Sequence, residues 1–431
     1  MSPNVSESDP QHNGQLSASR TAGVSEALVN STEDRPGGGT RPLEGVVVAD
    51  FSRVLAGPYA TMLLADLGAE VIKVESPAGD DTRTWVPPVR PDGVSTYYSA
   101  INRNKKSVVL DFTDEEDLST AQALARRADV VIENFKPGGL RRFGLDYATV
   151  RETNPQVVYC SISGFGSAAG ASLPGYDLIV QAMSGLMSLT GDPDGSPFRA
   201  GISVFDVMAG LHSTIAVLAA LRHRDATGLG QQLEASLMAS AMSGLVNQTS
   251  AYVAGGVVPQ RMGNAHPSLF PYEPLPTADD DLIVTAGNNT QFRKLCTVLG
   301  IPEVAEDPRF AENGDRTAHR EQLRPLLVEQ LRKHPAQHWF AALNAVGVPN
   351  GPINTIGQGV EYAKELGLEP VVTAGEGERA VPVVRHPVTF SVTPPRYDLA
   401  PPELGEHTEQ VRAWLSSPRA TTPLGPQEEN R

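Results

Sequence analysis

Two cysteines in 431 residues, Cys160 and Cys296, are too few for a disulfide framework, and their placement supports no zinc site. A reducing, cytoplasmic setting follows as the expectation. Positive charge is also scarce. Against 50 Asp and Glu stand 35 Lys and Arg, a formal net charge of −15, so neither nucleic acid nor an anionic membrane surface is expected as a partner. Any anionic ligand must then be met by locally placed cations. No apolar stretch reaches membrane-spanning length without interruption. The first forty residues carry Ser, Asn, Gly and acids rather than a basic region and an apolar core, which predicts no secretory signal and disfavours a transit peptide.

What is present is an ordinary globular composition, 40% hydrophobic and 20% charged, long enough for a large core and two lobes. Residues 1–40 lack aromatics and end in Pro36-Gly37-Gly38-Gly39, a composition unable to bury enough apolar surface to offset ordering, and are expected to be a disordered tail. Apolar runs at Val46–Ala49, Ser107–Phe112, Asp129–Glu133 and Val157–Ile162 read as strands, with helices between them such as Asp114–Arg127. This alternation predicts a parallel sheet. The expected layout is a large lobe over 41–235, a connecting segment over 236–280 with a Gly/Pro-rich stretch lacking periodicity at 255–276, and a mostly helical small lobe over 281–346. A return linker and the C-terminal part of the large lobe occupy 347–415, with Val/Pro-rich strands over 380–398, and a second tail follows over 416–431.

The motif with most content is Asp50-Phe51-Ser52-Arg53-Val54-Leu55-Ala56-Gly57-Pro58-Tyr59-Ala60, followed by Asp66-Leu67-Gly68-Ala69-Glu70-Val71-Ile72-Lys73-Val74-Glu75. It reads as strand, Gly-Pro turn, helix, strand. Its loop opens at the carboxyl end of a parallel strand, where such sheets bind ligands, and it carries Arg53. Three cations precede a strand in Asn102-Arg103-Asn104-Lys105-Lys106-Ser107, and three more follow one in Glu133-Asn134-Phe135-Lys136-Pro137-Gly138-Gly139-Leu140-Arg141-Arg142. A charge run is usually a solvated face. Asp206 stands directly before a long apolar helical run, a common place for a helix-capping aspartate, and a helix N-terminus also favours an ionised carboxylate. On the residues alone, cap and nucleophile are compatible. Pro174-Gly175-Tyr176-Asp177 likewise opens a helical stretch.

Together these motifs resemble the family III coenzyme A transferases, a group that includes the α-methylacyl-CoA racemases, over about residues 42 to 412. The resemblance implies an α/β fold: a Rossmann-like parallel-sheet lobe built from both chain ends, a smaller α+β lobe, and two chains interlinked as an obligate homodimer. It implies that Asp206 is the nucleophile, attacking an acyl-CoA and passing through an aspartyl-CoA thioester before CoA reaches a free carboxylic acid. CoA-binding roles carry over onto Arg53, Val54, Leu55, Ala56, Leu110, Asn134, Phe135 and Arg142, and acyl-pocket roles onto Tyr176 and Asp177. CoA enters as a substrate, and no metal or redox cofactor is required. The racemases carry a His where this chain has Tyr176, which removes a proton carrier that racemisation needs. A racemase, or a non-catalytic CoA-binding protein of the same fold, is the alternative. Where some transferases have Arg after the Ile-Lys-x-Glu strand, this chain has Ser76. The runs at 53–58, 79–85, 95–98 and 102–107 look closest to family members handling dicarboxylic acids, with succinyl-CoA or another dicarboxylyl-CoA as donor. Arg103 is then expected to clamp the distal carboxylate. His266, in a loop the resemblance places over the active site, is assigned no catalytic role.

Overall fold

The computed structural model describes residues 41–417, so the expected tail over 1–40 and all of the second but Ser416 and Ser417 lie outside the described residues. The chain opens with β1 (Val47–Asp50), α1 (Ala56–Asp66) and β2 (Glu70–Glu75). Gly57-Pro58 lies within the first turn of α1 rather than in a turn before it. Proline is tolerated there because its missing N–H has no helical partner anyway. Next come α2 (Thr96–Ile101), β3 (Lys105–Val109), α3 (Glu115–Arg127, capped by Asp114), β4 (Val130–Glu133), α4 (Tyr147–Thr153) and β5 (Val158–Ser163). The lobe continues with α5 (Asp177–Met183), α6 (Leu186–Leu189), α7 (Val204–Thr227), β6 (Gln231–Ser236), α8 (Leu237–Gly244) and α9 (Val246–Val253).

The six strands pair in the order β3-β2-β1-β4-β5-β6, and every neighbouring pair is parallel. This is the Rossmann-type order, and its direction reverses between β1 and β4. In sheets of this order the carboxyl ends of the two strands at the reversal are the usual place for a ligand. The 24-residue α7 covers one face, packed against α1. Among the described helices it is the one long and apolar enough to cross a membrane, with a mean hydropathy of 1.8 over its most apolar window. Its inner side chains Phe205, Ala209 and Val217 belong to the same buried core as Val48, Leu64, Val130 and Cys160. Gly210 lets α7 approach closely, since a Cβ there would stand 2.7 Å from the Ala56 carbonyl oxygen.

A separate hydrophobic core gathers Phe270, Leu282, Phe292, Cys296, Leu327, Trp339 and Val348. It lies between a three-stranded antiparallel sheet of β7 (Tyr272–Pro276), β8 (Asp281–Thr285) and β9 (Asn350–Pro352) and the helices α10 (Asn289–Val298), α11 (Pro302–Glu306), α12 (Asn313–Ala318), α13 (Arg320–Leu331) and α14 (Ala336–Ala345). The stretch 255–276, expected to lack regular structure, thus ends in a strand. Its prolines, Pro274 and Pro276, fit because β7 is an edge, where an absent N–H breaks no internal ladder. Burial pushes both Cys160 and Cys296 up to about 12, leaving two inert thiols.

The chain then runs through α15 (Ile356–Glu365), β10 (Val371–Ala374), β11 (Val381–Val384) and α16 (Thr408–Ser416). Residues 385–398 form no strand, contrary to the expectation for 380–398. Pro387, Pro394 and Pro395 deprive that run of backbone donors. Instead the segment returns to the first sheet. Arg396 donates to the Ala65 and Ala69 carbonyls at 3.0 and 2.8 Å, and the Ser107 carbonyl accepts from the His407 N–H at 2.9 Å.

Candidate active site

At the reversal point the loops after β1 and β4 are tied to each other. The Arg53 N–H donates to Asn134 Oδ1 at 3.0 Å and Asn134 Nδ2 donates to the Arg53 carbonyl at 2.7 Å. Arg53, Val54, Leu55, Ala56, Asn134 and Phe135, all expected at the coenzyme site, are thereby brought together at the carboxyl ends of β1 and β4. The Arg53 side chain is exposed and lies 3.2 Å from Asp81. Beside it a cleft of about 410 Å³ opens at the carboxyl ends of β4 and β5, lined by Phe135, Leu140, Arg141, Tyr147, Ser161 and Ser163. Arg141 lines this cleft. Arg142, the residue expected there, is exposed and stacks on Phe143, its guanidinium carbon 4.5 Å from the ring centre.

Two expected site residues sit elsewhere. Leu110 is buried among Phe51, Ala121 and Leu124, so its side chain packs the core instead of facing a ligand. Arg103 is 2% exposed and its guanidinium is committed to Asp66, with Nε donating to Oδ1 at 3.0 Å and Nη2 to Oδ2 at 2.6 Å. Asn104 Nδ2 also donates to Asp66 Oδ1 at 2.8 Å. With two of its donors taken by a buried carboxylate and the side chain closed off from solvent, the guanidinium is not presented to a ligand, which corrects the expectation that Arg103 clamps a substrate. The same holds for Lys105, whose ammonium is fully buried and donates to Asp50, Asn102 and the Pro58 carbonyl, and whose pKa burial pushes down to about 8 against the opposing pull of Asp50.

Asp206 is the third residue of α7, not its cap. The N-cap position is Ser203, whose side chain makes no capping bond. Capping is supplied from another helix, where Asp177 Oδ1 accepts from the Phe205 N–H at 2.7 Å and from the Asp206 N–H at 3.1 Å. Asp177 is buried and also receives the Gln181 amide, so its carboxylate holds up α7 instead of lining an acyl pocket. Tyr176, just before it, is 64% exposed. Asp206 itself is partly buried. Burial first, and the Asp177 carboxylate second, raise its pKa to about 7, so the helix end does not hold it in the ordinary carboxylate range.

Sequence reasoning missed three residues here. Gln181 is fully buried and links Asp177, the Ile202 carbonyl and the Ala200 N–H, tying the approach to α7 onto α5. Tyr97 stands within interaction range of Ser203 and Asp206, and its hydroxyl is raised chiefly by burial while a bond with Ser203 opposes. Trp85 packs edge-on against it, ring centres 5.2 Å apart. Their signals were a Gln four residues beyond Asp177, one helical turn on, and the Ser95 cap that opens α2. His266 accepts the Ser268 N–H through Nδ1 at 3.0 Å, and its neighbour Gly263 bonds the Gly191 carbonyl at 3.1 Å, which seats the loop on the turn before Asp206's helix.

The arrangement, two strand-end loops joined at the sheet's reversal point and a carboxyl poised near neutrality on an adjoining helix, places a candidate reactive carboxyl beside the usual ligand-binding end of such a sheet. The family model CoA-transferase family III matches residues 43–408. The chain is 45% identical over 398 residues to succinate–glutarate CoA-transferase of Agrobacterium fabrum, covering 89% of this chain and 98% of that one. It is 37% identical to acetyl-CoA:oxalate CoA-transferase of Acetobacter aceti, covering 90% and 100%. A crystal structure of a CaiB/BaiF family protein from Brucella suis superposes with a TM-score of 0.79 at 43% identity, covering 88% of this chain and all of that one. The chain belongs to CoA-transferase family III and is a CoA-transferase.

Proposed function

We propose that Asp206 carries CoA from a dicarboxylyl-CoA donor to a free dicarboxylic acid. The ionised carboxylate attacks the thioester carbonyl, CoA thiolate leaves, and an aspartyl–acyl anhydride forms. The thiolate then attacks the aspartyl carbonyl, the donor acid departs with the electron pair of the broken anhydride bond, and an aspartyl-CoA thioester remains. The acceptor carboxylate repeats both exchanges in reverse. CoA is a substrate in this scheme, which calls for no metal or redox cofactor. The carrying observation is the Asp206 carboxyl on the first turn of α7, held there by Asp177 and with a pKa near 7, so that much of it is a nucleophilic anion at neutral pH. The dicarboxylate class rests on the printed name of the Agrobacterium relative, while the Acetobacter name, acetyl-CoA:oxalate, makes a monocarboxylyl donor the competing assignment.

We further propose that the chain works as an interlinked homodimer. The support is the run of exposed apolar side chains along the return segment, including Ile353, Ile356, Leu366, Leu368, Val384 and Val392, of which Ile356 is 89% exposed. Light scattering should give twice the chain mass.

The experiment for the reaction is to incubate the protein with succinyl-CoA and a panel of free acids, reading new CoA esters by mass spectrometry, and to trap the intermediate with hydroxylamine. Expected are glutaryl-CoA and a hydroxamate on Asp206. Transfer confined to monocarboxylic partners overturns the substrate class, and label on another residue overturns the nucleophile. Solvent deuterium appearing at the α-carbon of a 2-methylacyl-CoA would reinstate racemisation.

A further inference from the structure

Lys73, in the Ile-Lys-x-Glu motif, has no part in the site as described above, yet it is fully buried directly beneath the coenzyme loop. Its Nζ donates to Asp80 Oδ2 at 2.8 Å and to the Ser52 carbonyl at 3.0 Å. Asp80, 3% exposed, accepts the Val54 N–H at 3.3 Å, and also the Thr82 N–H and hydroxyl at 2.9 and 2.7 Å. A second buried pair, Asp50–Lys105, lies alongside, with Asp50 accepting the Ser52 N–H at 3.0 Å. Glu75, bridged to Arg83, completes a set of three carboxylates (Asp50, Glu75, Asp80) and three cations (Lys73, Arg83, Lys105). Burial opposes the charge on Lys73, but Asp80, Asp50 and Glu75 outweigh it and hold the ammonium above its usual range.

What these charges grip is unusual. Val54 has φ of 68°, in the left-handed region where a β-branched side chain is strained. Gly57 follows where a Cβ would stand 2.2 Å from Ser52 Oγ, so the loop is also pressed against the start of α1. A buried pair serving only stability would spend its hydrogen bonds on its own strands. This one, besides the two bonds Asp80 takes from Thr82, reaches the backbone on both sides of Arg53.

We propose that the Lys73–Asp80 pair is a positioning device for coenzyme binding. The ammonium fixes the Ser52 carbonyl and the carboxylate fixes the Val54 N–H, so Val54 is held left-handed and the 53–56 backbone is presented to CoA already formed. The proposal deepens the reading in which this loop binds CoA and rests on it. Preformed loops bind with less ordering cost, so the device acts on affinity and not on the chemical step.

The test uses full-length protein, with titration calorimetry of CoA and hydrogen exchange of the 52–55 amides in the unliganded state. Asp80→Asn should raise the Kd for CoA about tenfold and speed exchange at 52–55, with kcat at saturating succinyl-CoA within about threefold of wild type. Adding Val54→Gly to Asp80→Asn should recover at least about half of the loss on a logarithmic scale, because glycine adopts positive φ without strain. An unchanged Kd in folded Asp80→Asn overturns the proposal, as does a loss that is the same with Val or Gly at position 54. If Asp80→Asn does not fold, Thr82→Val removes one bond to the same carboxylate and should raise Kd about threefold with faster exchange, and no rise overturns the proposal. Wild type that fails to bind CoA would overturn the coenzyme reading and this proposal together, an outcome distinct from any difference between variants.

Discussion

The two sides of the site treat buried charge in opposite ways. On the side of the β1–α1 loop, every carboxylate beneath residues 52–56 has a cation in contact: Asp50 with Lys105, Asp80 with Lys73, Glu75 with Arg83. On the side of α7, Asp206 has no cation among its influences, and its charged neighbour is another acid, Asp177. Compensated charges are held in place by their partners and fix shape. An uncompensated carboxyl is destabilised as an anion and is thereby ready to share its charge with a bond-forming partner. The molecule thus spends stability at one residue and conserves it at the neighbouring loop.

Removing the uncompensated carboxyl should have the largest effect. Asp206→Ala should lower transfer at least about a thousandfold while the Kd for CoA stays within about threefold, because the lost group forms bonds and holds no nucleotide. Rates and calorimetry on the same preparation check this. Next in size is a compensated pair broken from one side. Arg103→Leu leaves Asp66 buried without its fork and should destabilise the fold by about 3–5 kcal/mol in denaturant titration. The surviving folded enzyme should lose dicarboxylic and monocarboxylic transfer alike, and selective loss of the dicarboxylic pair would restore Arg103 as a substrate clamp.

A smaller effect should appear in pH profiles. With Asp206 near 7, kcat/KM should fall as pH drops through about 7, where the carboxylate takes up its proton. Asp177→Asn keeps an acceptor for the α7 amides but removes the neighbouring charge, so this acid limb should move down by about one pH unit. A limb that stays put would show that Asp177 acts only as a cap. The smallest expected change is in stability. The folded pKa of Asp206 lies above its unfolded value of 3.8, so its stabilising contribution is full below about pH 4 and is lost as pH rises through about 7. Asp206→Asn should therefore raise Tm by a few degrees (~2–4 °C) at pH 8 and change it little near pH 4, as read by scanning calorimetry.

The β1–α1–β2 unit, the parallel sheet and the helix over 114–127 were legible because apolar runs and helical periodicity act locally. Position just ahead of a strand was equally legible for Arg103 and Lys105, and Leu110 was placed within that strand, which ends one residue before it. What their side chains face was not, because that depends on partners remote in sequence, such as Asp66 for Arg103 and Asp50 for Lys105, which spacing does not reveal. Asp206 was found through a motif, but its position as third helical residue rests on Asp177, 29 residues earlier, supplying a cap that a local reading assigns to Asp206 itself. The strand Tyr272–Pro276 was hidden because two of its five residues are prolines, which only an edge tolerates.

The return of the chain to its first sheet has a consequence for how the protein is made. Asn104 is bonded through its N–H to the Leu399 carbonyl at 2.9 Å, and the Val109 N–H to the Thr408 hydroxyl at 3.1 Å, contacts that span nearly 300 residues. On the ribosome, the edge strand β3 emerges long before the segment that covers it and must wait, at a synthesis rate of about 5–20 residues per second, for tens of seconds with its flank open. Covering of β3 therefore waits for the return segment to be made, and the exposed β3 edge during that interval is where a chaperone, or another nascent chain, finds its opening.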